Sequence, residues 1–109
     1  MYFFDTENRA AKEIVPGVRI RTTWADQMLL SMVDLDAGAV VPNHSHPHEQ
    51  AGAVLTGVLV LTISGEERSL HLGDSYIIPG GIEHSAIGGP DGARVFEVFS
   101  PVREEYKYK

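Results

Sequence analysis

The 109-residue chain predicts an all-β fold, a small double-sheet barrel formed as one domain over residues 1–109. Three features point there. Short apolar runs recur, punctuated by turn residues at intervals of roughly 8–12 residues. Hardly any segment carries the 3.6-residue periodicity of a helix. With no helix to cover a sheet, about nine short strands bury one face each only by closing on themselves.

From Gly17 onward the strands follow in order. Val18 to Thr23 alternates apolar Val18 and Ile20 with Arg19 and Arg21. Met28 to Leu35 is a second run, ended by Asp36, Ala37 and Gly38. Ala39 to His46 comes next. Gln50 to Val54 and Val58 to Ile63 flank Thr56-Gly57, and residues 64–67 turn the chain into Arg68 to Leu72. Asp74 to Ile78, His84 to Ile87 and Ala93 to Ser100 complete the set. Residues 5 to 14 are the stretch able to carry a turn or two of helix. The preceding Tyr2, Phe3 and Phe4 are too apolar to be left in water, and either the chain's own barrel or a partner subunit can cover them.

Composition narrows the function. Hydrophobic content of 43% and charged content of 22% are those of an ordinary soluble globular protein. A net charge of −6 gives nucleic acid no electrostatic footprint to bind. The longest apolar run, Ala51 to Ile63, is broken by Gly52, Thr56, Gly57 and Thr62, so no membrane span is expected. Asp5, Glu7 and Arg9 stand where a signal peptide would need an apolar segment, and the expected location is the cytoplasm. Without cysteine there are no disulfides and no thiolate metal ligands.

Chemistry concentrates between Gly38 and Gln50, where His44, His46 and His48 pack three of the five histidines into five residues. Side chains alternate faces along a strand, so His44, His46 and Gln50 share a parity that Glu49 does not. Two imidazoles and an amide oxygen hold a divalent cation once a fourth donor arrives from elsewhere in the fold. His84 is the candidate, placed after Pro79 and the Gly80-Gly81 pair, a tight corner that re-aims the chain just before it. Against this stands the plainer reading of a solvated histidine loop and a hydrogen-bonded core histidine. His48 follows Pro47 and is open to a supporting role; His71, between Leu70 and Leu72, reads as an exposed strand residue.

The last strand is the other informative stretch. Val95, Glu97 and Phe99 face one way, Arg94, Phe96 and Val98 the other. If the first set faces inward, a carboxyl sits inside the barrel, where burial costs several kcal/mol unless it is paired or protonated. If it faces outward, Glu97 reaches solvent. Arg103 is placed either over the barrel mouth, as a clamp for an anion, or on a polar tail.

The two stretches read G-x5-H-x-H-x3-Q-x6-G over residues 38–57 and G-x5-P-x-G-x2-H-x3-G over residues 73–88, with 15 residues between them. Together they resemble the paired motifs of the cupin superfamily in its compact bacterial form. That resemblance implies a jelly-roll-like β-barrel with a metal site inside, one divalent ion (nickel, zinc, manganese or iron), and a homodimer, since small cupins often dimerise. Two positions depart from the pattern: Gln50 replaces the usual glutamate, and Gly88 the asparagine that commonly closes the second motif. A neutral amide leaves the ion more net charge and a stronger Lewis acid. The second change is expected to touch only a turn.

A narrower resemblance runs through residues 44–50, Val54, Leu55, Gly57 and residues 98–105, to the KdgF-like cupins of pectin and alginate breakdown. In that family a metal held by three histidines and a glutamine promotes opening of 4,5-unsaturated uronates to the linear keto form. The resemblance implies His44, His46, Gln50 and His84 as ligands, with Glu97, Phe99 and Arg103 as the acid/base, aromatic and arginine positions, and a small sugar acid as partner. The family carries aspartate where this chain has Glu97. Other readings on the same scaffold are a metal-dependent dioxygenase, another isomerase, or a ligand-binding barrel without turnover.

Overall fold

The computed structural model describes residues 2–109, and Met1 of the expected domain lies outside them. Eight strands make up the fold: β1 (Lys12–Val15), β2 (Val18–Trp24), β3 (Leu29–Leu35), β4 (Val40–His44), β5 (Glu49–Ile63), β6 (Glu66–Leu70), β7 (Ser75–Ile78) and β8 (His84–Ser100). A single 3-10 turn, Glu104–Tyr106, follows. All pairing is antiparallel, along the path β1-β2-β3-β8-β5-β6, with β4 on β8 and β7 on β5.

Two long strands organise everything else. The first half of β5 pairs with the second half of β8 through Glu49↔Ser100 to Gly57↔Ala93, and the second half of β5 pairs with the first half of β8 through Leu59↔Gly88 to Ile63↔His84. The expected strands 50–54 and 58–63 are therefore one strand, as are 84–87 and 93–100. They bend together instead of breaking, at Gly57 and Gly92, which both take positive φ (73° and 76°). A Cβ at Gly57 would stand 2.1 Å from the Gly92 carbonyl oxygen, so the bend needs glycine for space as well as conformation. One sheet thus holds β1, β2, β3 and β7 and the other β4 and β6, with β5 and β8 running through both. This is a jelly roll. The recorded pairing runs from β1 to β6 without a hydrogen-bonded ring, and the two layers are closed by side-chain packing.

That packing follows from alternation. In β3, Leu29, Ser31, Val33 and Leu35 are buried while the residues between them are half-exposed. Val33 and Leu35 enclose one core with Val18 and Ile20, Val54, Leu59 and Leu61, Tyr76 and Ile78, and Val95; Leu29, Phe99 and Val102 form a smaller cluster at one end. Each fully buried aliphatic side chain contributes roughly 1.5–3 kcal/mol. Gly88 sits within β8, where a Cβ would stand 2.4 Å from the Asp36 carbonyl oxygen. The missing asparagine is thus a matter of strand packing, not of a turn.

Residues 5–14 form no helix. A turn at residues 7–9 leads into β1, whose Lys12 pairs with Ile20, giving the backbone its partners across a sheet instead of along a helix. The segment lies on its own barrel: Arg21 Nε donates to the Arg9 carbonyl at 2.9 Å, the Tyr108 hydroxyl to the Ala10 carbonyl at 2.7 Å, and Glu7 pairs with Arg94 at 2.6 Å. Arg94 and Arg21 both hold Asp34, each at 2.7 Å. Burial raises the Asp34 carboxyl and the two guanidiniums outweigh it, leaving its pKa low. Tyr2 and Phe3 remain exposed. The outer face of the larger sheet is apolar too, with Leu30, Val98, Ala51 and Ile77 in one row and Met32, Phe96 and Ala53 in the next. No helix among the described residues is long and apolar enough to cross a membrane.

Candidate metal centre

His44 closes β4 opposite His84, which opens β8. Gln50 is the second residue of β5. His46 lies in the connection between β4 and β5, so the expected strand from Ala39 to His46 is too long. Proline at position 42 has no N–H to give a ladder, and the β4–β8 register slips between Val41 and His44. The chain regains the ladder at His44, leaves the sheet after it and is then held by the second motif. Gly81, at φ 80°, donates its N–H to the His46 carbonyl at 2.8 Å, and a Cβ at Gly80 would stand 2.3 Å from the Pro47 carbonyl oxygen. The glycine pair that re-aims His84 is also the seat of the loop that carries His46.

The three histidines converge. One ring nitrogen from each of His44, His46 and His84 lies within 4.8 Å of the others. Each Nδ1 faces a backbone carbonyl: His44 that of Pro42 at 2.8 Å, His84 that of Ile82 at 2.9 Å, and His46 that of His48 at 3.1 Å. A carbonyl only accepts, so Nδ1 carries the proton and Nε2 presents its lone pair. Such outer hydrogen bonds are what orients imidazole ligands.

Two features of this donor set fit a cation. The His84 Nε2 is buried with no hydrogen-bond partner. The His46 Nε2 stands 3.0 Å from Gln50 Oε1, two acceptors facing one another. The amide cannot be relieved by a flip, because its Nε2 donates to Glu97 Oε2 at 2.6 Å. Nor is His46 readily protonated: burial and then the Arg103 charge push it down to about 4. Burial lowers His84 as well, against the Ile82 carbonyl bond. Neutral imidazoles and an amide oxygen are the ligands that nickel, zinc, manganese or iron accept.

Glu97 faces inward, toward this cluster. Across the sheet it sits in a polar row, Thr22, Ser31, Glu97, Gly52 and Tyr76, each in register with the next. Its Oε2 accepts from Gln50 and, at 2.5 Å, from the Tyr76 hydroxyl. Burial raises the carboxyl above its ordinary range, against those two bonds and the Arg103 charge. Burial and the carboxylate keep Tyr76 a phenol and a donor. Tyr76 is the residue that sequence reasoning missed. The available signal was Gly52, a glycine inside an apolar strand, since a Cβ there would stand 2.4 Å from the Tyr76 ring.

Phe99 is 1% exposed and meets the His46 ring edge-on at 5.7 Å, forming the wall behind it. Arg103 lies over the mouth: its guanidinium stacks 4.0 Å above Tyr106 and 5.3 Å from Phe99, while Nε donates to Glu105 at 2.7 Å. The tail is pinned by Thr22, whose hydroxyl donates to the Tyr106 carbonyl at 2.7 Å. His44, Gln50, His84, Glu97, Phe99 and Arg103 all line one cavity of about 50 Å³. His48 contributes its carbonyl, and its ring packs 5.4 Å from that of His46 without joining the three converging nitrogens. His71 lies past the end of β6, exposed and outside the site.

The family model of the cupin domain matches residues 31–99. The chain is 30% identical over 107 residues to the pectin degradation protein KdgF of Dickeya dadantii (strain 3937), covering 96% of each. Among solved structures it is similar to KdgF from Halomonas sp., at 28% identity and a TM-score of 0.90 over 96% of this chain and 97% of that one. An RmlC-like cupin from Shewanella frigidimarina NCIMB 400 superposes with a TM-score of 0.91 at 26% identity, over 98% and 96%. A jelly roll, two histidine motifs that depart from the family pattern only at Gln50 and Gly88, and these matches agree: the chain belongs to the cupin family.

Proposed function

We propose that this chain is a metal-dependent, non-redox enzyme that opens a 4,5-unsaturated uronate to its linear keto form. The observation that carries the reading is one cavity lined by His44, Gln50, His84, Glu97 and Arg103, beside His46. The name of the Dickeya relative, a pectin degradation protein, supports the substrate class. His44, His46, Gln50 and His84 would hold a divalent ion, which would supply Lewis acidity to a substrate oxygen.

The reaction is an isomerisation, so a single carboxyl suffices. Glu97 takes the proton of the ring hemiacetal hydroxyl; the carbon–oxygen bond to the ring oxygen breaks, leaving an aldehyde and an enolate. As the enolate oxygen becomes the keto group, Glu97 returns that same proton to the neighbouring alkene carbon. Glu97 Oε2 is occupied by Tyr76 and Gln50, which leaves Oε1 to carry that proton. A carboxyl raised by burial suits both halves of the exchange. Arg103 binds the uronate carboxylate through the Nη edge that Glu105 does not engage. Phe99 and Tyr106 exclude water from the reacting face.

A cavity of about 50 Å³ holds a few waters and is too small for a sugar acid, so in this reading the Arg103–Tyr106 segment moves aside to admit one. The anchoring role is tested by Arg103→Ala. Loss of ground-state binding raises KM while kcat is largely kept. A KM equal to the parent's would remove Arg103 from the site. An inward Glu97 also speaks against a barrel that only binds its ligand. The functional unit in this reading is one domain paired as a homodimer through the apolar outer face of the larger sheet.

A further inference from the structure

The amide of Gln50 lies between two neighbours that ask opposite things of it. Toward His46 the stable arrangement without an ion is an NH₂ group facing the Nε2 lone pair. Toward Glu97 it is the same NH₂ group facing the carboxylate. The contact at 2.6 Å to Glu97 takes it, and the oxygen is left 3.0 Å from His46 Nε2. Glu97 is itself fixed: the Tyr76 hydroxyl bonds the same Oε2 at 2.5 Å, and Tyr76 is seated on Gly52.

We propose that Tyr76 and Glu97 are positioning residues of the metal centre, which lock the Gln50 amide with its oxygen toward the histidines. The carboxyl then serves the ion through the ligand it orients, besides any proton it moves. Without that lock the amide turns over, its NH₂ group bonds His46, and two ligands are lost together: the Gln50 oxygen faces away and the His46 lone pair is occupied. Outer hydrogen bonds of this kind are worth about 10–100-fold in metal affinity. The inference rests on reading these residues as a metal site and not on the uronate as substrate.

The test is nickel(II) affinity, measured by chelator competition on the whole chain. Glu97→Leu removes the acceptor and is expected to weaken binding by about 10–100-fold. Glu97→Gln is expected to restore most of it, because its side-chain oxygen accepts from both Gln50 and Tyr76 although the charge is gone. In a Gln50→Leu background, Glu97→Leu should have no further effect, there being no amide left to orient. Gly52→Ala, which displaces the Tyr76 ring while keeping every polar group, should weaken binding in the same direction and covers the case in which Glu97→Leu does not fold. Equal affinity of Glu97→Leu and the parent overturns the inference. So does Glu97→Gln falling as far as Glu97→Leu, which would make the effect one of charge, or a loss that persists in the Gln50→Leu background. A parent that binds nickel yet leaves the uronate unchanged refutes the proposed reaction and leaves the positioning role standing.

Discussion

Replacing Gly52 with alanine puts a methyl carbon 2.4 Å from both Cζ and the hydroxyl oxygen of Tyr76, a side chain only 8% exposed. Ordinary contact begins about 1 Å further out, so the ring must retreat by about that much into a packed core, at roughly 1–3 kcal/mol. The retreat also stretches the 2.5 Å bond from Tyr76 to Glu97 beyond use. Loss of a hydrogen bond to a charged group costs about 1.5–3 kcal/mol. Alanine returns about 0.4–1 kcal/mol by restricting the unfolded chain. The net expectation is a loss of about 1.5–5.5 kcal/mol, which in a domain of this size lowers the melting temperature by roughly 6–24 °C. Urea and thermal unfolding followed by circular dichroism measure it. Combining Gly52→Ala with Tyr76→Phe should cost less than the sum of the two changes, because the first already breaks the bond that the second deletes. A Gly52→Ala protein within about 0.5 kcal/mol of the parent would refute the placement of Tyr76 against that backbone.

Three further expectations follow from the same contacts. Gln50→Glu sets two carboxyls at the 2.6 Å spacing now bridged by the amide, so they share a proton. The variant should retain its ion by elemental analysis and lose turnover, and a fully active Gln50→Glu protein would place Gln50 outside the site. For pH, His46 is held near 4 and His84 below its ordinary value, each first by burial. Below about pH 6.5 the unfolded histidines take up protons that the folded ones refuse, so metal-free stability falls as pH drops from 6.5 toward 4. Glu97, with its raised pKa, works in the opposite direction over the same window, so the measurement is the urea midpoint of metal-free Glu97→Gln at pH 7 and pH 5; an unchanged midpoint contradicts the burial of the histidine pair. Finally Ile77, 68% exposed on the apolar outer face, should when replaced by lysine convert a dimer to a monomer in light scattering, and a parent already monomeric would remove the homodimer.

The candidate donor set was legible because side-chain chemistry and spacing are local: the motifs single out His44, His46, Gln50 and His84 whatever the sheet does between them, and the fold brings the three histidines together. The inward Glu97 was legible only as one of two parities, and its neighbours Val95 and Phe99, both buried, decide it. The manner in which His46 arrives was not. Parity along one strand gave the right convergence for a different reason, since the register slips at Pro42, the strand ends at His44 and a bond from Gly81 holds the loop beyond it. The long strands were also hidden, because a glycine bend and a turn have the same composition; only the facing of Gly57 by Gly92 separates them. Tyr76 escaped because its role depends on pairing β7 with β5, a contact between residues 52 and 76 that no local pattern carries. Strand β1 escaped for the same reason, being a strand only through its pairing with β2.

The central claim is that a metal held by this donor set and the carboxyl of Glu97 act together on a uronate. The most direct measurement loads the purified chain with one divalent ion per chain and follows the ultraviolet absorbance of 4,5-unsaturated galacturonate. The account predicts loss of absorbance well above the spontaneous rate, abolished in His84→Ala, which no longer binds the ion, and in Glu97→Gln, which still does. A metal-loaded parent no faster than the spontaneous reaction, or a Glu97→Gln variant as fast as the parent, would contradict it.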